Sequence, residues 1–277
     1  MARKIVLFWT ILGLIFVIAN YHFLGQKQPE NAQKKITIFT LDTLIWVHTK
    51  MIIWDRGSVV IGSLKNIQDT QKNLIKNSDI IIDTVPLDQS QLNKNLQDYK
   101  WTYVTVTWLP VGQVLYNNDV LSWQITWIRD ALAEKDKTNP GYYYDSTGNY
   151  IHLIENLYES IQNRLSKYHK VSFITLWSWF DAFVEKFWLS EHKAREYNSI
   201  KDFLKDKWLK DALKKENINH IFVSLPLTDS EIKNIEKNYH VSVYKIPPIE
   251  EDTSAWWYLR FVEKVADQFV RAFDTYD

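Results

Sequence analysis

An uncharged, mostly apolar run extends from Ile5 to about Ala19 and continues weakly through Tyr21, Phe23 and Leu24. Arg3 and Lys4 precede this run, which is long enough to cross a bilayer. The charge bias places the N-terminus in the cytoplasm and the rest of the chain outside. A secretory signal is the competing reading, with Val17 and Ala19 as the small residues before a cut after Ala19. Residues 1–25 are therefore read as an anchor or signal segment, with residues 5–24 in the membrane. Residues 26–35 (QKQPENAQKK) are read as a polar linker.

From residue 36 the pattern changes to short apolar runs alternating with segments of helical period. Ile36–Leu41, Val59–Ile61, Ser78–Thr84 and Tyr103–Thr107 are rich in β-branched and aromatic residues and predict strands. Polar helical segments fall between them, near 66–77 and 88–98. Leu121, Ile125, Ile128 and Leu132 share one face of a predicted helix over 119–135. Asn139-Pro140-Gly141 reads as a turn. A long helix follows over Tyr150–Tyr168, with Ile151, Ile154, Leu157, Ile161 and Leu165 on one side. The alternation then resumes with strands at Val171–Leu176, His220–Leu225 and Val241–Ile246. Helices are predicted at 180–187, 199–216, Thr228–Tyr239 and Ala255–Phe273.

Strands separated by helices predict an α/β fold with parallel sheets covered on both faces. Two such sets predict two lobes, 36–137 and 169–277, joined by a connecting helix within 138–168. The cleft between lobes is the expected ligand site.

Charge and composition exclude several classes. Lys plus Arg equals Asp plus Glu at 33 each, so the basic excess of a nucleic-acid-binding protein is missing. There are no cysteines, which removes disulfides, thiolate metal sites, cysteine nucleophiles and a lipid-modified N-terminal Cys. No Gly-rich phosphate loop, G-x-S-x-G or paired metal motif occurs, and the chain does not read as an enzyme. Ser178, between Trp177 and Trp179, has Leu176 and Phe180 where a nucleophile elbow needs glycines.

The glycine and tryptophan counts are unusual. Average usage would give roughly 19 glycines in a chain of this length. There are 7, with 13 tryptophans. Trp101, Trp177, Trp179, Trp256 and Trp257 stand where glycine would be natural, and Trp188 stands at an expected helix end (EKFWLS). One explanation is a codon read as Trp in one genetic code and as Gly in another. The other is a Trp-rich surface that stacks on sugars.

In order and spacing, most of residues 36–277 resemble the zinc- and manganese-type solute-binding proteins of bacterial ABC importers. IRDALAEKDKTNPGYYYDSTGNYIHLIENLYESIQNRL is similar to the family's helix, "DP.N" turn, "YY..N" stretch and long connecting helix. FDAFVEKFWL (Phe180–Leu189) is similar to "H.AF.Y.A..YGL", three residues shorter, with Trp188 in place of the glycine. The resemblance implies an extracytoplasmic protein with two α/β lobes and a rigid helix limiting closure. It also implies a zinc or manganese ligand and an ABC permease as partner.

The family holds its metal with three His and one carboxylate, neutral imidazole suiting zinc and manganese. Aligned on this chain, those positions fall near Ser63, at Gln113, at Phe180 or Trp177, and near Pro247 or Pro248. None carries a strong ligand, so the resemblance implies a degenerate or altered site. Other candidates are the acidic run Glu250-Glu251-Asp252 near the expected cleft, and His48 with Asp42 and Asp55 near the first strand. His220 stands at the edge of an apolar strand. A surface interaction or adhesion module on the same scaffold is the alternative function.

Overall fold

The structure, a computed structural model, describes residues 35–40, 42–62, 73, 75–83, 102–106, 117–176, 181–191, 203, 205, 207–223, 227–246 and 254–275. Residues 36–277 form one compact unit, and residues 1–34 of the preceding segment lie outside the described residues. No helix among the described residues is long and apolar enough to cross a membrane.

Two all-parallel sheets organise the unit. The first comprises β1 (Ile36–Thr40), β2 (Gly57–Ile61), β3 (Ile80–Asp83) and β4 (Thr102–Thr105), in the order β2-β1-β3-β4. The second comprises β5 (Ser172–Leu176), β6 (Ser190–Glu191), β7 (His220–Val223) and β8 (Ser242–Lys245), in the order β6-β5-β7-β8. The two orders are the same pattern used twice. Register runs Ile38↔Ile80 between the inner strands of the first sheet and Ile174↔Ile221 in the second. β3 and β7 are buried along their whole length, as strands covered on both faces must be.

The helices are α1 (Thr43–Ile53), α2 (Asn118–Lys135), α3 (Pro140–Leu165), α4 (Asp181–Lys186), α5 (Lys207–Lys215), α6 (Asp229–Tyr239) and α7 (Trp257–Asp274). α1 is an addition to the sequence reading: TLIWVHTKMII is apolar almost all round, so it lacks the polar face that marks a helix in sequence. α3 begins ten residues earlier than expected. Asn139-Pro140-Gly141 is its start rather than a free turn, with Pro140 at the first helical position, where a missing N–H costs nothing. Asp136 secures this corner by accepting from Thr138, Asn139 and Tyr143. The turn reading of 139–141 is corrected accordingly.

α3 runs antiparallel to α1. Tyr142 donates to the Ile53 carbonyl (3.1 Å), Ser146 to that of Met51 (3.3 Å), and Tyr150 meets His48 (2.9 Å). Its second half meets α7 instead, through Tyr158 and Tyr258 (2.8 Å) and the Arg164–Asp267 ion pair. Just beyond, Lys167 and Tyr168 both bond Asp274. One core therefore runs from Ile38, Ile80 and Ile82 of the first sheet, through Ile128, Ile154 and Ile161, to Phe173, Phe222 and Phe269 of the second. The opposite face of the second sheet (Ile174, Ile221, Val223) buries a smaller cluster with Leu209, Leu213, Ile235 and Tyr239. Two parallel sheets are present within one compact unit, and α3 packs against α1 along its first half and α7 along its second.

Candidate functional site

In an open parallel sheet, ligands bind beyond the carboxyl ends of the strands, at the point where the strand order reverses. Here the chain leaves β1 for β2 on one side and crosses to β3 on the other, so the first reversal lies between β1 and β3. The second lies between β5 and β7 by the same logic.

At the first reversal, Thr40 ends β1 with its hydroxyl fully buried, and Asp83 ends β3 with 2% of its surface exposed. Asp83 is the buried carboxylate among the described residues, in a position that sequence reading passed over as a strand terminus. The Asp83 carbonyl accepts from Val106 (2.7 Å), which ties the end of β3 to the residue after β4. At the second reversal Thr175, also buried, donates to the Glu191 carboxylate across the ends of β5 and β6.

Ser63, Gln113, Trp177, Phe180, Glu250, Glu251 and Asp252 all lie outside the described residues, as do Pro247 and Pro248. In sequence, Ser63 follows Gly62 after β2, Trp177 follows Leu176 at the end of β5, and Pro247 follows Ile246 after β8.

Asp42, His48 and Asp55 are described, and the structure separates them. Asp42 caps α1: its Oδ1 accepts from Leu44 N (2.8 Å) and Ile45 N (3.1 Å), satisfying two amides that the helix leaves open. Asp55 lies past the other end of the helix, whose 11 residues alone span roughly 16 Å at 1.5 Å per residue. His48 is between them and fully buried against Tyr150 and Tyr258, its ring centroid 5.3 Å from that of Tyr258. Nδ1 pairs with the Tyr150 hydroxyl, and Nε2 has no hydrogen-bond partner. Burial holds the imidazole at a pKa of about 3, so it is neutral. These three side chains cannot share an ion, because the helix that contains His48 also holds the two carboxylates apart.

Replacing Asp42 by Ala is expected to cost about 1 kcal/mol of stability in denaturant unfolding. The affinity for any divalent cation should be unchanged. A loss of cation affinity in that variant would return Asp42 to the ligand set.

The other described histidines do not converge either. His220 opens β7 and is buried between Tyr244 and Phe273, with its pKa lowered by desolvation. His152 is exposed beside Glu155, His169 bonds the Trp188 carbonyl, and His240 caps α6 in the left-handed conformation. Among the described residues no group of three or more His, Asp or Glu is placed to hold a metal ion.

The model of the family described as zinc-uptake complex component A, periplasmic, matches residues 116–272, more than half of the chain. Among solved structures, the chain is similar to the metal-dependent lipoprotein YcdH from Bacillus subtilis. That match has a TM-score of 0.67 at 14% identity and covers 86% of this chain and 99% of that one. Zn(II)-bound AdcA from Streptococcus pneumoniae gives 0.65 at 16% identity, covering 87% of this chain and 58% of that one. A periplasmic metal binding protein from candidatus liberibacter asiaticus gives 0.63 at 18%, covering 86% and 99%. No curated protein matches the sequence. At these identities the structural likeness concerns the fold.

Proposed function

Because the chain belongs to the periplasmic zinc-uptake component A family, we propose that it is the solute-binding component of a metal-type ABC importer with an altered cation site. Family membership supports the reading of an extracytoplasmic transport component that works with a membrane permease. The observation that carries the finer reading is the repeated sheet: two parallel sheets of one strand order, each with a reversal point at its carboxyl edge. A ligand held between two such edges is contacted from both halves of the chain.

The donor set is where this chain departs from its family. By the sequence alignment the family's imidazole positions fall near Ser63, at Gln113 and at Trp177 or Phe180, and oxygen is the donor that the remaining candidates offer. Glu250, Glu251 and Asp252 supply carboxylates in the segment between β8 and α7. An oxygen-weighted site suits harder divalent cations such as manganese better than it suits zinc. Residues 5–24, in this reading, hold the body at the outer face of the membrane.

The test is a calorimetric titration of residues 36–277, purified without added metal, against zinc and manganese. One ion per chain at micromolar affinity or better is expected. Saturation at 100 times Kd should stabilise the fold by about 2.7 kcal/mol. Combined replacement E250Q, E251Q and D252N is expected to weaken binding at least tenfold. Neither uptake nor thermal stabilisation by either ion would overturn the reading.

A further inference from the structure

Four described residues other than glycine have positive φ: Trp54 (45°), Trp188 (52°), Asn217 (51°) and His240 (55°). None of the described glycines does. Asn and His are among the side chains that tolerate this region, whereas a bulky residue there is an outlier. The backbone around the two tryptophans shows which residue each position calls for.

Trp54 ends α1 at φ 45°, ψ −107°. Arg56 N donates to the Ile53 carbonyl (2.8 Å), closing a four-residue turn with Trp54 as its first central residue. Those angles and that bond define a type II′ turn, whose first central position takes glycine. The angles lie in the mirror-β region, open to a residue without Cβ.

Trp188 follows α4. Leu189 N donates to the Val184 carbonyl (3.0 Å) and Trp188 N to that of Glu185 (3.3 Å). This is the Schellman pair that ends a helix through a left-handed residue, usually glycine and sometimes asparagine. α5 ends in the same way, where Ile218 N bonds the Leu213 carbonyl (2.9 Å) past Asn217. The chain thus uses one motif twice, once with a residue that suits it and once with tryptophan. Trp188 is 74% exposed, and His169 engages the carbonyl of Trp188, which glycine also has.

We infer that positions 54 and 188 are glycine in the protein that its own cells make, their codons being read as Gly there and as Trp in the printed sequence. The shortage of glycine and surplus of tryptophan, 7 against 13, is what such a codon produces. The inference is specific to position, because among the described tryptophans only these two have positive φ. Trp46 Nε1 donates to the Val59 carbonyl (3.0 Å), and Trp257 is buried with its ring stacked on Phe261. A sugar-stacking surface drawn from the tryptophan count loses two of its exposed rings.

Peptide mass spectrometry on the protein purified from its source cells decides the matter. The tryptic peptides 51–56 and 187–193 are expected lighter by the difference between Trp and Gly. A tryptophan mass at either position overturns the inference there. Independently, in protein made with tryptophan at both sites, W54G and W188G are each expected to raise the thermal midpoint by about 3–6 °C. W54A and W188A, which keep a Cβ, should raise it less. A midpoint lowered by W54G or W188G would overturn the backbone argument.

Discussion

Between pH 7 and pH 5 the protein is expected to lose about 2 kcal/mol of stability through His48 alone, and about 4 kcal/mol by pH 3. The cause is desolvation: the ring is fully buried in α1 and its folded-state pKa is about 3, against about 6.5 in an unfolded chain. Below pH 6.5 the unfolded chain takes up a proton that the folded protein refuses. The stability is therefore complete above about 6.5 and is lost progressively as the pH falls towards 3. The neighbours do not rescue the charged form, since Tyr150 and Tyr258 bring phenols, not carboxylates. His220, depressed for the same reason, adds a smaller loss of the same sign. Denaturant unfolding of the native chain and of His48→Leu over this range separates the two. The variant should begin about 1–3 kcal/mol weaker at pH 7, because Tyr150 loses its partner. It should then fall less steeply, so that the two curves converge in acid. Parallel curves would show that His48 reaches water in the folded protein.

Phe269→Ala is expected to cost about 3–5 kcal/mol and to lower the thermal midpoint by roughly 10 °C. Phe269 lies on α7 at the centre of an aromatic cluster. Its ring stacks on Phe222 at 4.1 Å and on Phe183 at 5.2 Å, and meets Phe173 edge-on at 5.5 Å. Those partners come from β7, α4 and β5, so one side chain fastens the last helix to the second sheet and to α4 together. Removing it leaves a cavity that three rigid rings cannot close. Phe269→Leu, which retains most of the volume, should cost about 1.5 kcal/mol or less. Equal effects of Ala and Leu would mean that the cluster collapses around the gap.

The strands other than β6 were legible because β-branched runs such as ITIFT and HIFV have few other uses, and α2 and α6 because one face is polar; β6, two residues of Ser and Glu, has no such run. α1 was not legible: helical period appears only as contrast, and a helix buried on nearly every side has little. The start of α3 was missed because Asn-Pro-Gly signals both a turn and a helix entry, and the choice depends on Asp136 bonding back to Asn139 and Tyr143. Site geometry was the least legible. Nothing local in the sequence marks Asp83 as the buried end of an inner strand, since that follows from a strand order fixed by distant pairing. Proximity in sequence misled for Asp42, His48 and Asp55, where eleven helical residues act as a spacer.

α3 is fixed along its first half to α1 and along its second half to α7. In mechanical language it is a beam clamped at both ends, and a clamped beam transmits load without swinging. Ligand capture then has little access to wide hinge motion. On the function proposed above, a permease would sense the loaded state at the proposed ligand site rather than through a swing of α3. Two dyes, one on α2 and one on α6, would report nearly the same separation in the empty and loaded protein, whereas a dye beside residues 250–252 would change its signal.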